Sequence, residues 1–150
     1  MAAPNSKMEQ FAFDEALHGS PNELFNKFDL SNNECTDTNI NISEITQYIS
    51  EHKIDINKQN ENGTTFLNFA VDNDRFELSK VLISQFNADV NLADDMGYTA
   101  LHCAAMNGNQ KIIHLLLQNG ADINAKSFED EETAFDLAET DEIRQLLTVT

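Results

Sequence analysis

Basic residues are scarce in this chain: nine lysines and arginines stand against 26 aspartates and glutamates, a formal net charge of −17 over 150 residues. A surface this acidic repels nucleic acid and anionic lipid, which sets both aside as partners. Cysteine is nearly absent. Cys35 and Cys103 have no spacing partner and read as two free thiols in a reducing compartment rather than as a disulfide. Long hydrophobic runs are missing too, since no window approaches the roughly 18 apolar residues of a membrane span. Met1 to Met8 lack the apolar core of a secretory signal, so a cytoplasmic or nuclear location is expected. There is no tryptophan, yet ten phenylalanines and an apolar content of 41% suffice for one continuous core in one folded domain.

What is present is a repeat. The stretch from Met96 to Lys126 is its most complete copy. Asp94-Asp95-Met96-Gly97 is a polar cluster ending in glycine, which predicts a tight turn. Thr99 stands where a helix N-cap belongs, before Ala100-Leu101-His102-Cys103-Ala104-Ala105-Met106. Ala104 and Ala105 leave room for a second helix to pack closely. Asn107-Gly108-Asn109 breaks the helix. A second helix from about Gln110 to Asn119 carries Ile112, Ile113, Leu115, Leu116 and Leu117, a broad stripe suited to neighbours on both sides. Gly120 ends it in the left-handed position, and Ala121-Asp122-Ile123-Asn124 runs extended into the next turn.

Weaker copies flank this unit. Asn62 to Val71 aligns with Met96 to Ala105, and Asn87-Ala88-Asp89-Val90-Asn91 aligns with Gly120 to Asn124 at an offset shorter by one, which places an extra residue near Phe86. Ser43 to His52 matches a second helix, and Lys53-Ile54-Asp55-Ile56-Asn57 matches the finger that follows it. Lys53 at the left-handed position departs from the pattern and weakens that helix end. Thr133 to Ala138 repeats Thr99 to Ala104, and Asp141 to Leu147 gives a short last helix with charges between its apolar residues, as a terminal cap requires. Upstream, Met8 to His18 reads as an amphipathic helix. Ser20-Pro21-Asn22-Glu23 reads as a capped helix start, with Leu24, Phe25, Phe28 and Leu30 on the buried face. Ser31 to Asn41 reads as a mobile loop, and residues 148–150 as a frayed end.

A helix-turn-helix-finger unit with a period of about 33 residues resembles the ankyrin repeat. Gly97-Tyr98-Thr99-Ala100-Leu101-His102, Ala104-Ala105, Gly108, Leu116-Leu117 and Gly120-Ala121-Asp122-Ile123-Asn124 carry the resemblance, which covers about residues 42–147, roughly 70% of the chain. It implies an all-α solenoid of three to four repeats, with units near 42–59, 60–93, 94–127 and 128–147, a degenerate first unit and a short C-terminal cap. Residues 1–41 form an N-terminal segment to which it does not extend. Phe66 and Ala100 stand where the family has proline, Asn68 where it has histidine, and Asp74 where it has glycine. These departures make the second unit less regular.

The resemblance further implies a binding scaffold, with contacts on finger tips and on the concave face of each first helix. Carried onto this chain, the tips are Glu61, Asn62 and Thr64, then Asp95, Met96 and Tyr98, then Asp130, Glu131 and Glu132. The helix positions are Asp72 and Asn73, then Met106 and Asn107. These residues stand outside the apolar stripes and recur once per unit. Tyr98 beside Met96 is a hot-spot candidate, set against simple packing between fingers.

Residues that invite a chemical reading do not assemble. His18, His52, His102 and His114 are the histidines that could act as ligands or bases, but His102 and His114 lie on different helices and nothing places a carboxylate or cysteine beside both. The resemblance gives His102 a hydrogen-bonding role in its turn, and His114 falls on the outer side of its helix. Glu129-Asp130-Glu131-Glu132 lacks the alternating ligands and glycine of a calcium loop. No catalytic residue, cofactor or metal site is assigned. The expected function is an adaptor or stoichiometric inhibitor, monomeric when free, that binds a protein with a basic surface. One alternative is a host-directed effector or scaffold from a microbe or virus, in keeping with 18 asparagines and an AT-rich genome. Another is an enzyme with its site in residues 1–41, which offer no nucleophile–base pair.

Overall fold

In the computed structural model of the chain, the described residues are Leu24, Lys27, Phe28 and residues 41–148. The helix expected at Met8–His18, the capped start at Ser20–Glu23, the loop at 31–40, His18, Cys35, Phe25, Leu30 and residues 149–150 lie outside them. The described residues form seven helices: α1 (Ile42–His52), α2 (Phe66–Asp72), α3 (Phe76–Phe86), α4 (Ala100–Met106), α5 (Gln110–Gln118), α6 (Ala134–Leu137) and α7 (Asp141–Thr148). Strands are absent among the described residues. The chain is thus an all-α stack of helix pairs, with inner helices α2, α4 and α6 and outer helices α1, α3, α5 and α7.

Each inner helix starts at an extended threonine: Thr65, Thr99 or Thr133. The Thr65 and Thr133 hydroxyls accept from the backbone N–H three residues on. The last helix runs one residue further than expected, to Thr148. The outer helices end in left-handed residues. Lys53, Asn87 and Gly120 have φ of +49°, +52° and +83°. Lys53 thus takes the strained conformation that its register demands. Asp74, in the place of Gly108, does the same with φ +55°.

The core runs through both layers rather than through the outer helices alone. Phe66, Leu67, Ala70 and Val71 of α2 and Ala100, Leu101, Ala104 and Ala105 of α4 are buried. So are Leu78 and Leu82 of α3, Ile112, Ile113 and Leu116 of α5, and Ile143 and Leu147 of α7. The alanine faces let the inner helices approach one another closely, which moves much of the core inward. Leu115 and Leu117 are only half-buried, so the stripe on α5 is narrower than its sequence implies. Leu24 is fully buried and joins Ile45 and Ile49 of α1 in this core, with Phe28 packed on the ring of Tyr48.

Side chains lock each unit to the next. Asn57 Nδ2 donates to the Asn87 carbonyl at 3.3 Å, and its Oδ1 accepts from the Asp89 N–H at 2.8 Å. Asn91 repeats this on Gly120 and Asp122, at 3.0 and 2.8 Å. Along the inner helix ends, Asn107 donates to the Asp72 carbonyl at 2.9 Å and Asn109 to Asp74 Oδ1 at 3.0 Å. At the fingers, the Asp95 N–H reaches the Asn62 carbonyl and the Phe128 N–H the Met96 carbonyl. A Cβ on Gly97 (φ +85°) would lie 2.7 Å from the Phe128 nitrogen, so only glycine lets these fingers close up.

Two measurements test this packing. Leu116→Ala should cost about 2–5 kcal/mol in chemical denaturation, and His114→Ala, on the exposed face of α5, well under about 1 kcal/mol. Gly108 shares the left-handed backbone of Gly97 but has open space around it. Gly108→Ala should therefore cost about 1 kcal/mol, and Gly97→Ala at least twice that, because the backbone of the next finger must move.

Candidate functional site

The second and third units leave a groove of about 470 Å³ between their fingers and inner helices. Its rim is made by two fingers of like construction. Asn60 Oδ1 accepts from the backbone N–H of Asn62 and of Thr64, and Asp94 Oδ1 accepts from those of Met96 and Tyr98, all at 2.9–3.0 Å. These bonds hold each tip in a tight turn and aim Asn62, Thr64 and Tyr98 at the groove. Its floor is the inner helices: Asn68, Phe69 and Asp72 from α2, Cys103 and Met106 from α4. Phe69 and Cys103 occupy the same register position, as do Asp72 and Met106.

Five of the residues named from sequence therefore meet here: Asn62, Thr64, Asp72, Tyr98 and Met106. The others do different things. Glu61, Asp95 and Met96 are exposed on the tips without lining the groove. Asn73 caps α2, with Nδ2 on the Phe69 carbonyl at 2.8 Å, and Asn107 is spent on the inter-unit bond to Asp72. Asp130 is exposed, Glu131 pairs with Lys126 at 3.3 Å, and the backbone of Glu132 is fixed to Ser127. That ion pair is well exposed and adds little to stability. The acidic finger does not reach the groove.

Sequence reasoning passed over Asn60, Asn68, Phe69, Asp94 and Cys103. The register of the repeat could have found Phe69 and Cys103, since both lie one helical turn before the positions that were named. Phe128 was also passed over, hidden in an acidic run. It is 68% exposed beside Met96, which is 54% exposed, so two apolar side chains crown neighbouring fingers.

The electrostatics follow from burial and the acidic rim. Burial pushes the Cys103 thiol up to about 12, with Asp72 and then Asp94 adding to the rise. Tyr98 is half-buried and packs edge-on against His102, ring centres 5.7 Å apart. His102 Nδ1 accepts from the Thr99 N–H at 3.0 Å, which leaves Nε2 protonated to donate to the Glu132 carbonyl at 3.1 Å. Asn68, at the same register position, donates to the Leu92 carbonyl through Nδ2, while its Oδ1 has no hydrogen-bond partner. Asp136, at that position in the last unit, closes its own capping box. The Thr133 N–H and then its hydroxyl hold the Asp136 carboxyl below its usual range.

Stacked helix pairs with fingers between them define an α-solenoid. The chain belongs to the ankyrin-repeat family: the family model for ankyrin repeats (3 copies) matches residues 34–127. It is 36% identical over 72 residues to alpha-latroinsectotoxin-Lt1a of Latrodectus tredecimguttatus, which is 48% of this chain and 5% of that protein. It is 44% identical over 63 residues to palmitoyltransferase akr1 of Schizosaccharomyces pombe, 42% of this chain and 10% of that protein. A putative ankyrin repeat protein of Rickettsia felis is 34% identical over 80 residues, 53% of this chain and 26% of that protein. The aligned stretch is thus a small part of each relative. No helix among the described residues is long and apolar enough to cross a membrane.

The raised thiol gives a direct check. With Cys35 replaced by serine, Cys103 in the native chain should react with a disulfide reagent at pH 8 at least about tenfold more slowly than in the unfolded chain, because the fall in thiolate fraction outweighs the higher nucleophilicity of each thiolate. The sign for stability follows. The unfolded thiol ionises near its ordinary value of 9.0 and the folded one only near 12. The contribution of Cys103 is therefore whole below pH 9 and is lost as pH rises toward 12.

Proposed function

We propose that this chain is a protein-interaction module, acting as an adaptor or stoichiometric inhibitor. It takes its partner in the groove between the second and third units and on the tips beside it. The observation that carries the reading is the groove itself, which gathers Asn62, Thr64, Asp72, Tyr98 and Met106 from four separate elements. Tyr98 there has the build of an anchor, with one edge held by His102 and the remainder facing the groove. Exposed Met96 and Phe128 extend the apolar contact along the tips. Family membership supports the same reading, because ankyrin repeats are in general protein-interaction modules.

The groove's side chains favour binding over catalysis. Its thiol is held protonated at neutral pH, and His102 spends both ring nitrogens on the backbone. A reducing compartment suits a half-buried free thiol. The net charge of −17 favours a partner with a basic surface and speeds encounter with it.

Capture from a cell lysate, followed by surface plasmon resonance on the partner recovered, tests the face. Tyr98→Ala should raise the off-rate and cost roughly 2 kcal/mol, with little change in salt dependence. Raising ionic strength to the physiological range should slow the on-rate, because the screening length falls to about 8 Å. Lys80→Ala and His114→Ala, on exposed positions of the outer helices, should change neither. Binding that survives Tyr98→Ala but not the outer replacements would move the site to the convex side.

A further inference from the structure

We infer that the groove between the second and third units is an arginine site, which receives the guanidinium group of one arginine of the partner protein. The inference rests on the interaction reading above and narrows its chemistry.

The groove is lined by acceptors and flat walls, without a basic residue among them. Its ionised groups are Asp72 and Asp94, its aromatic walls Phe69 and Tyr98, and its sulfurs Cys103 and Met106. Among the described residues the ion pairs are Lys126–Glu131 and Arg144–Asp141, and neither involves the groove. Asp72 is the last residue of α2, where the helix end already carries partial negative charge and favours a cation. Asp94 spends Oδ1 on two backbone N–H groups, which leaves Oδ2 for another donor. The fields of both carboxylates reach the Cys103 thiol in the floor, so they act on the same small volume.

Asn68 supplies a second and independent observation. It lines the groove at 3% exposure, and its Oδ1 has no hydrogen-bond donor. A buried acceptor without a donor costs about 1–3 kcal/mol. His102, one unit on, has no such deficit, because both of its ring nitrogens are bonded. The orphan acceptor thus belongs to a side chain that lines the groove.

Arginine answers these features better than lysine. Its planar group carries five donors and no acceptor, stacks on aromatic faces, and is more weakly hydrated than an ammonium, so it loses less on entering a groove walled by Phe69 and Tyr98. A neutral donor such as an amide would leave Asp72 without a counter-charge.

The test uses the full 15N-labelled chain and end-blocked Gly-Ser-X-Ser-Gly peptides, with X arginine, lysine or citrulline. Citrulline keeps the shape and loses the charge. The arginine peptide should shift the amide signals of Asp72, Tyr98 and Cys103 in a saturable way. The lysine peptide should bind several-fold more weakly and the citrulline peptide about tenfold more weakly. Asp72→Asn should weaken the arginine peptide by a similar factor. Asn68→His, which gives this position the bonding of His102, should raise the melting temperature while weakening the arginine peptide several-fold. Equal binding of citrulline and arginine overturns the assignment, as does an unchanged affinity in either variant or a shift pattern confined to the finger tips. In that event a captured partner lost through Tyr98→Ala still upholds the interaction module, so the two readings fail separately.

Discussion

The structure depends on register between neighbouring units. No single helix pair here can bury its own apolar face, so each must sit on the next at one fixed height. Packing alone leaves that height loosely defined, because alanine-rich inner faces slide at little cost. The side-chain clamps remove the freedom. Asn57 and Asn91 each use donor and acceptor together, gripping the start of the following finger by two backbone groups. A slip of one residue would break both bonds at once and leave backbone groups unsatisfied. Asn124, in the third place of the series, makes no such bond among the described residues, and the stack closes there with the short pair α6 and α7. The abundance of asparagine, which composition alone links to genome bias, therefore has a mechanical role at these positions.

One register position shows how a repeat can vary without losing its frame. Asn68, His102 and Asp136 all stand at the third residue of an inner helix. Histidine is long enough to reach back to Thr99 and across to Glu132. Asparagine is shorter, makes only the crossing bond, and leaves an acceptor unused. Aspartate makes only the local bond, to Thr133, in the pair that closes the stack. Their different reach decides whether the position joins two units or closes one.

Acidic charge and packing are separated in space, although Arg75 is itself buried. The buried layers hold aliphatic residues, phenylalanine and alanine, while the acidic side chains lie on the fingers and along the exposed helix faces. With few basic residues to neutralise them, most carboxylates among the described residues form no ion pair, and their fields add. The groove is where that field meets aromatic and sulfur-bearing walls, and the proposed partner chemistry follows from that meeting.

The helices and the family were legible in the sequence because they depend on local signals: threonine caps, left-handed residues at fixed offsets, and apolar positions that recur at the repeat period. Even the departures could be read, and Asp74 and Lys53 adopt the left-handed backbone that their alignment required. The site was legible only in part. The family resemblance put Asn62, Thr64, Asp72, Tyr98 and Met106 on finger tips and inner helices outside the apolar stripes, and these five line one groove. It could not tell which outward side chains are spent on neighbours, so Asn73 and Asn107 were named alongside them although their amides are bonded to backbone carbonyls. Nor could it see that Asp94 turns into the groove, that Phe128 stands out from its finger, or that Asn68 is buried with an idle oxygen. Local pattern determined the repeats and their order, since caps and periodicity act within one unit. Tertiary structure alone decided the groove, because its walls come from separate repeats, distant in sequence, that meet only when the register between units is set.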